Sequence, residues 1–159
     1  MPAITPFLWF DTVAEDAARF YVGIFPNSRI TTIARYGEAG PRPADMVMTV
    51  SFALDGKPFM ALNGGPHWKI NEAVSFVIDC ATQADVDRYW DVLGDGGRIH
   101  ACGWLTDRFG VTWQVVPSGF IDLITDPDPA RAAKAMKAMQ EMIKLDLAAL
   151  RRAVDTDTA

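Results

Sequence analysis

The sequence contains no uninterrupted apolar run near the roughly 18 residues that a membrane-spanning helix needs. Its first ten residues, MPAITPFLWF, lack the basic start of a signal peptide, and their apolar stretch ends at Asp11. The only two cysteines, Cys80 and Cys102, form no CxxC pair, so reduced thiols are expected. These absences argue against a membrane protein or a disulfide-stabilised domain and predict a cytoplasmic protein.

Basic charge is also scarce in the chain. The formal net charge is −5 and the pI is near 4.9. Because a basic surface is needed to neutralise phosphates, we expect no nucleic-acid partner. The one concentration of basic residues, between Arg131 and Arg152, alternates with Ala, Met and Leu at helical spacing, which predicts a solvated helix face.

The chain does have the composition of one compact domain, with 159 residues of which 50% are hydrophobic and 22% charged. Its apolar pattern predicts an α+β fold in which the order strand–helix–three strands (βαβββ) occurs twice. We expect a single domain over residues 1–159 that contains module one (1–64), module two (72–118) and a helical tail (119–155). One module buries too little surface to be stable alone, so the two are expected to pack together.

The elements can be placed approximately from periodicity and turn signals. The predicted helices span 13–25 and 82–93, and the predicted strands span 4–10, 29–36, 46–54, 57–63, 72–79, 98–101, 104–106 and 111–117. Asp55-Gly56 predicts a two-residue hairpin between the third and fourth strands of module one.

Polar residues at the element ends predict caps and turns. Thr82 is expected to cap the second helix, with Asp85 as its partner three residues later. Asp11 and Asp79 follow matching strands in the two modules, which favours helix capping over paired-carboxylate chemistry. Asp107 is expected to belong to the last turn of module two.

The tail predicts two helices. Asp128 and Asp146 suit the N-cap of each. Met136, Met139 and Ile143 form a stripe on the first of them, which is typical of a core or a subunit interface.

Several motifs together resemble the PhnB-like branch of the vicinal-oxygen-chelate superfamily, which includes glyoxalase I, extradiol dioxygenases, and fosfomycin- and bleomycin-resistance proteins. The motifs are LWFD, FYVGIFPNS, ALNGGPHWKINEA, CGWLTD and GVTWQVVP. The resemblance implies two βαβββ modules that form a curved mixed sheet around a pocket, C-terminal helices, and a homodimer. Relatives are often labelled 3-demethylubiquinone methyltransferase-like. The chain lacks the glycine-rich turn common in nucleotide-sized cofactor sites, so methyl transfer is the least favoured activity.

Metal-dependent relatives carry four ligands on the first and last strands of the modules. Aligning the modules puts these positions at Pro6, Met60, Ala73 and Gln114. Proline and alanine have no side-chain donor, and thioether and amide groups are weak ligands. The residues one place along the strands are no better. The sequence therefore departs from the pattern of the metal-dependent relatives, and we expect neither a metal nor another cofactor.

The segment Asn63-Gly64-Gly65-Pro66 is predicted to link the modules, since it lacks the Lys-Ser/Thr end of a phosphate-binding loop. A plain linker does not need His67 or Trp68, so a ligand-facing rim is a reasonable second role for them.

His67 and His100 could each act as a general base, although a solvated histidine is the simpler interpretation. Glu72 is expected to bond to the linker backbone, with acid–base chemistry as the alternative. No catalytic residue can be assigned.

Gln114 is the most informative polar residue of the last strand, because a buried amide needs partners and a ligand is one candidate. Strand alternation predicts that Leu8, Phe10, Met60, Leu62 and Ser75 share its face. The predicted pocket consists of Leu8, Phe10, Met60, Leu62, Asn63, His67, Trp68, Ser75, Trp104 and Gln114. A pocket of this kind suits a small, partly apolar ligand.

Two functions remain open beside a scaffold with a vestigial pocket. The first is binding or sequestering a small molecule without chemistry. The second is a metal-independent enzyme that uses His67, Glu72 or Gln114 on a small organic substrate.

Overall fold

The computed structural model of the chain describes residues 4–156 and divides into two compact units, 1–70 and 71–159. The division falls between Ile70 and Asn71, inside the predicted linker. Unit one contains β1 (Phe7–Phe10), α1 (Ala14–Ile24), β2 (Arg29–Arg35), β3 (Val47–Leu54) and β4 (Lys57–Asn63). Unit two contains β5 (Ser75–Cys80), α2 (Gln83–Gly94), β6 (Arg98–Ile99), β7 (Trp104–Thr106), β8 (Thr112–Pro117), α3 (Phe120–Ile124), α4 (Pro129–Gln140) and α5 (Leu147–Asp155). The predicted α+β class and its repeated βαβββ order are confirmed.

The sheet of unit one has the strand order β1-β4-β3-β2, with β1 parallel to β4 and the other pairs antiparallel. The predicted hairpin at Asp55-Gly56 is present, with positive φ at both residues. Helix α1 contacts β3 and β4. It turns a stripe of fully buried small residues, Ala14, Ala17 and Ala18, toward the sheet, so the helix can approach the strands closely.

The sheet of unit two repeats this order as β5-β8-β7-β6, with β5 parallel to β8. Helix α2 contacts β7 and β8 and buries Val86, Trp90 and Leu93. The predicted Thr82 and Asp85 capping box is confirmed, because each side chain accepts a hydrogen bond from the other's backbone N–H.

Two helix caps predicted from the sequence are wrong. The N-cap of helix α1 is Val13, no side chain makes a capping hydrogen bond there, and Asp11 instead pairs with Arg42. The backbone N–H of Ala14 donates to Asn63 Oδ1 at 2.8 Å. Asp79 lies on β5 and accepts a hydrogen bond from Ser118 Oγ at 2.7 Å.

The tail folds onto unit two as three helices. Asp128 and Asp146 cap α4 and α5 as predicted. Val116, Phe120, Leu145 and Leu150 form a buried cluster, with Met139 and Met142 packed against it. Ile143 was placed wrongly on the α4 stripe, because α4 ends at Gln140 and Ile143 is 60% exposed in the segment that follows.

That segment, residues 141–146 between α4 and α5, is called the strap below. No helix among residues 4–156 is both long enough and apolar enough to cross a membrane.

Candidate functional site

Two rows of side chains cross the second sheet on the face that alternates with the buried residues Leu105, Trp113 and Val115. The cross-strand register aligns Val77, Gln114 and Trp104 in one row and Ser75, Thr112 and Thr106 in the next. Because side chains in register point to the same side of a sheet, these six residues share one face. We call Ser75, Val77, Trp104, Thr106, Thr112 and Gln114 the module-two face.

Gln114 and Ser75 form a polar pair on this face. Gln114 Nε2 donates to Ser75 Oγ at 2.9 Å, so the prediction that these two residues share a face is confirmed. The amide oxygen of Gln114 and the rotatable hydroxyl of Ser75 remain to offer an acceptor and a donor. This pair can therefore bind a small molecule that has both kinds of group.

A second polar chain runs along the same face. His100 Nε2 lies 2.9 Å from Thr106 Oγ1, which lies 3.2 Å from Thr112 Oγ1. The histidine is half-buried and Thr112 is fully buried. Sequence reasoning missed this arrangement, because it depends on the pairing of β7 with β8, and no local pattern in the chain encodes that register.

Apolar groups flank the polar ones. Val77 is 61% exposed although it lies within a strand, and Trp104 is half-buried on the other side of Gln114. An amide and hydroxyl groups between an aliphatic and an aromatic side chain form a surface suited to a neutral, partly apolar molecule.

The predicted pocket residues of unit one lie on two opposite faces of its sheet, and α1 covers one of them. Met60 and Leu62 lie opposite Phe7 and Trp9 in the parallel register. Leu8 lies opposite Ala61 on the side that α1 covers. The predicted face shared by Leu8, Phe10, Met60 and Leu62 is therefore wrong for Leu8 and Phe10.

The sequence predicts the alternation of β1 but not which of its two sets of side chains faces α1, because both sets in FLWF are apolar. Asn63 is also buried on the α1 side. Its Oδ1 accepts a hydrogen bond from the backbone N–H of Ala14, and its Nδ2 donates to Val47 O at 3.0 Å. Its role is structural.

The Gly-Gly corner after β4 is explained by Trp9. Trp9 Nε1 donates to Gly65 O at 2.8 Å, and a Cβ on Gly64 would lie 2.3 Å from Trp9 Cζ2. Tyr36 OH donates to Asn63 O at 2.6 Å and fixes the start of the corner. The prediction that this segment serves as a structural corner agrees with these contacts.

The polar and aromatic residues after the corner are exposed. His67 is exposed and Trp68 is 70% exposed. Glu72 forms an ion pair with Arg98, in place of the predicted bond to the linker backbone. Their proposed role at a pocket rim stays a prediction.

Both cysteines are free thiols. Cys80 is buried, and burial, followed by repulsion from Asp85 and Asp79, raises the pKa of its thiol to about 11. The Cys102 thiol is half-buried and lies 3.5 Å from Met139 O.

The side chains at the positions of the superfamily's metal ligands do not fit a metal ion. Met60 provides a thioether and Gln114 an amide, and Phe7, which lies opposite Met60, provides no donor. Among residues 4–156, no three His, Cys, Asp or Glu side chains are grouped in a way that could hold an ion.

Solved structures with low sequence identity share this fold. The fosfomycin resistance protein FosX of Mesorhizobium loti shares the fold at 14% identity and a TM-score of 0.50, over 70% of this chain and 87% of that one. A Pseudomonas aeruginosa protein shares it at 23% identity and a TM-score of 0.61, over 74% and 98% of the two chains.

A narrower assignment follows from sequence. The profile of the 3-demethylubiquinone-9 3-methyltransferase family matches residues 2–116. A PhnB protein of Bacillus cereus, described as a suggested 3-demethylubiquinone-9 3-methyltransferase, is 32% identical, with a TM-score of 0.68 over 74% of this chain and 100% of that chain. The chain belongs to this PhnB-like family. No curated protein matches it significantly in sequence.

The family match ends at residue 116, within β8. Helices α3–α5 and the strap therefore lie outside it, although they bury Leu145 and Leu150 completely in unit two.

Proposed function

We propose that the protein binds or sequesters a small, neutral, partly apolar molecule on the module-two face without a metal or other cofactor. The Gln114–Ser75 pair supplies this proposal's main support, because it places a donor and an acceptor between exposed Val77 and half-buried Trp104. Apolar contact provides affinity and the polar pair provides orientation.

The electrostatics of the face support a neutral ligand. The module-two face contains no carboxylate. The cation nearest to it in register is Arg98, which lies opposite Thr106 and forms an ion pair with Glu72. A charged ligand would lack a free opposite charge at the centre of the face, where desolvation of an unpaired charge is costly.

A metal-independent enzyme is the second candidate, and the observation that favours it is the His100–Thr106–Thr112 chain. An imidazole on a binding face can accept or donate a proton near neutral pH. His100 is better placed for this role than the exposed His67 or the ion-paired Glu72. The methyltransferase activity in the family's description is not proposed, since the chain lacks the glycine-rich turn common at nucleotide-sized cofactor sites.

Binding can be tested with N-phenyl-1-naphthylamine, a neutral fluorescent aromatic amine with one N–H donor. We expect saturable fluorescence enhancement with the wild type and a Kd raised about two- to tenfold in Gln114→Ala, which loses one hydrogen bond. Gln140→Ala, at the exposed end of α4, is the matched control and should bind as the wild type does. Equal affinity in all three proteins would refute binding at Gln114.

The enzyme alternative is separated from binding by turnover. A screen of small carbonyl and hydroxyl compounds should show only stoichiometric binding if the first proposal holds. Sustained product formation that His100→Gln abolishes, with probe binding retained, would establish the second function instead.

We further propose a homodimer that buries either a sheet edge or the methionine-containing tail. Apolar side chains are exposed at both places, with Phe7 at 51% on edge strand β1 and Met136 at 38% on α4. Light scattering should give twice the chain mass of 17.5 kDa. Phe7→Glu or Met136→Glu should lower it, and the effective variant identifies the interface; a wild-type monomer rules the proposal out.

A further inference from the structure

We propose that the strap positions the module-two face, by holding the turn Ala101–Gly103 that leads into Trp104. This rests on the proposed function only for its effect on ligand affinity. The strap lies outside the residues that the family profile matches.

The turn has an unusual backbone conformation. Cys102 has φ of 59° and Gly103 has φ of 81°, and residues other than glycine seldom adopt positive φ. The backbone N–H of Cys102 donates to Met142 O at 2.9 Å, and that of Gly103 donates to Ile143 O at 2.8 Å. The strap thus supplies the acceptors for a turn that the local sequence does not favour.

Leu145 closes the same turn by packing. It is fully buried, and a Cβ on Gly103 would lie 2.9 Å from Leu145 Cδ1 and 3.0 Å from Val115 O. The absence of a side chain at position 103 is therefore what lets the strap approach the turn and the edge of β8.

The other side of the strap is anchored to helix α2. Gln83 Nε2 donates to Leu145 O at 3.0 Å, and Leu147 N donates to Gln83 Oε1 at 3.2 Å. Lys144 Nζ lies 2.8 Å from Asp87 Oδ1. One glutamine side chain thereby bonds the backbone on each side of Asp146 and holds the strap against α2.

The turn is coupled directly to the module-two face. Trp104 N donates to Ala101 O at 3.2 Å, His100 N donates to Trp104 O at 2.9 Å, and Val115 N donates to Gly103 O at 2.8 Å. Release of the strap would therefore displace the Trp104 indole and the His100 imidazole, which lie at one end of the face.

The test uses the full chain with Gln83→Met, which keeps the side-chain length and removes the two hydrogen bonds to Leu145 and Leu147 together with the weaker one to Asp87. Gln140→Met is the matched control. Leu145→Ala is a second variant that removes the packing, and far-UV circular dichroism selects variants that remain folded.

Reaction with Ellman's reagent reports release of the strap, because the Cys102 thiol is half-buried and the backbone N–H of the same residue donates to Met142 O in the strap. Cys80 is buried with a raised pKa and should stay unreactive. A Cys80→Ala background assigns the signal. We expect Cys102 to react about threefold faster or more in Gln83→Met, since even one of the two lost hydrogen bonds contributes about that factor, and to keep its wild-type rate in Gln140→Met.

Two further readouts decide whether the face moves with the strap. The ¹⁹F resonance of 5-fluorotryptophan at position 104, assigned with Trp104→Phe, should shift in Gln83→Met but not in the control. The Kd for N-phenyl-1-naphthylamine should rise about threefold or more, on the same hydrogen-bond scale.

The outcomes separate the two proposals. Faster reaction of Cys102 with an unchanged Trp104 resonance would overturn positioning and leave ligand binding standing. An unchanged Cys102 rate in both Gln83→Met and Leu145→Ala would also overturn it. If the wild type fails to bind the probe, the proposed function fails, and the Trp104 resonance alone decides the strap's role.

Discussion

At the scale of single residues, Asp107 shows how a buried charge can serve structure alone. It is only 4% exposed. Its Oδ1 accepts from the backbone N–H groups of Phe109 and Val111 at 2.8 and 3.1 Å, and its Oδ2 accepts from Trp113 Nε1 at 2.8 Å. Donors from both the turn and the following strand satisfy the carboxylate, which is what a buried charge requires. The predicted turn role of Asp107 is confirmed.

Asp107→Asn is expected to lower the free energy of unfolding by about 2–4 kcal/mol, because the new amide NH₂ would face the Trp113 N–H, donor against donor. Urea denaturation monitored by circular dichroism measures the loss. Asp91→Asn, on the exposed surface of α2, should change stability little. A similar small effect for both variants would contradict the structural role assigned to Asp107.

Gly64 provides a second test at this scale, because the same substitution has opposite consequences at two sites. Gly64→Ala should destabilise by about 1–3 kcal/mol, since its Cβ would overlap the Trp9 indole. Gly23→Ala, inside α1 with no atom within 4 Å of the added Cβ, should stabilise by about 0.5–1 kcal/mol. Denaturant midpoints that move in the same direction for both variants would be inconsistent with the close approach at Gly64.

At the scale of elements, ion pairs join the segments of the tail. Arg131 pairs with Asp126 before α4 and with Asp155 at the end of α5. The backbone N–H of Asp128 and then the Arg131 guanidinium lower the pKa of the Asp126 carboxyl below its usual value near 3.8. Hydrogen bonds from Lys144 and Gln83 similarly lower the pKa of Asp87 beside the strap.

A carboxyl with a lowered folded pKa stabilises the protein above its unfolded pKa and loses that contribution as the pH falls through the folded value. Wild type should therefore exceed Asp126→Asn in urea midpoint at pH 6, and the difference should shrink below about pH 4. Asp122→Asn, an exposed neighbour, should show no such convergence. A difference in urea midpoint that stays constant with pH would show that Asp126 does not contribute to the loss of stability in acid.

Elements were predicted from the sequence far better than the site. The helices, the hairpin at Asp55-Gly56 and the Thr82 cap rest on local signals, and all are present. Leu8 failed because the run FLWF is apolar at every position, so alternation could not select its buried set. The contacts of His100 could not be predicted, because Thr106 and Thr112 are distant from each other along the chain and only strand pairing brings them together.

At the scale of the whole molecule, the proposed independence from metal can be tested on the intact chain. We expect Zn²⁺, Ni²⁺ or Mn²⁺ to leave the melting temperature unchanged, because Met60 and Gln114 are poor ligands and Ala73 is none. Differential scanning fluorimetry with and without EDTA measures this. Strong stabilisation by any of the three ions would show that other side chains assemble a site.

The side-chain oxygen of Asn63 accepts a hydrogen bond from the backbone N–H of Ala14 in the first turn of α1, 49 residues earlier in the chain. Ala14 therefore meets its acceptor only after the last strand of unit one has been synthesised and paired. During translation, α1 cannot form this hydrogen bond until residue 63 has left the ribosome. We therefore expect α1 to gain its full protection from hydrogen exchange late and in a single cooperative step.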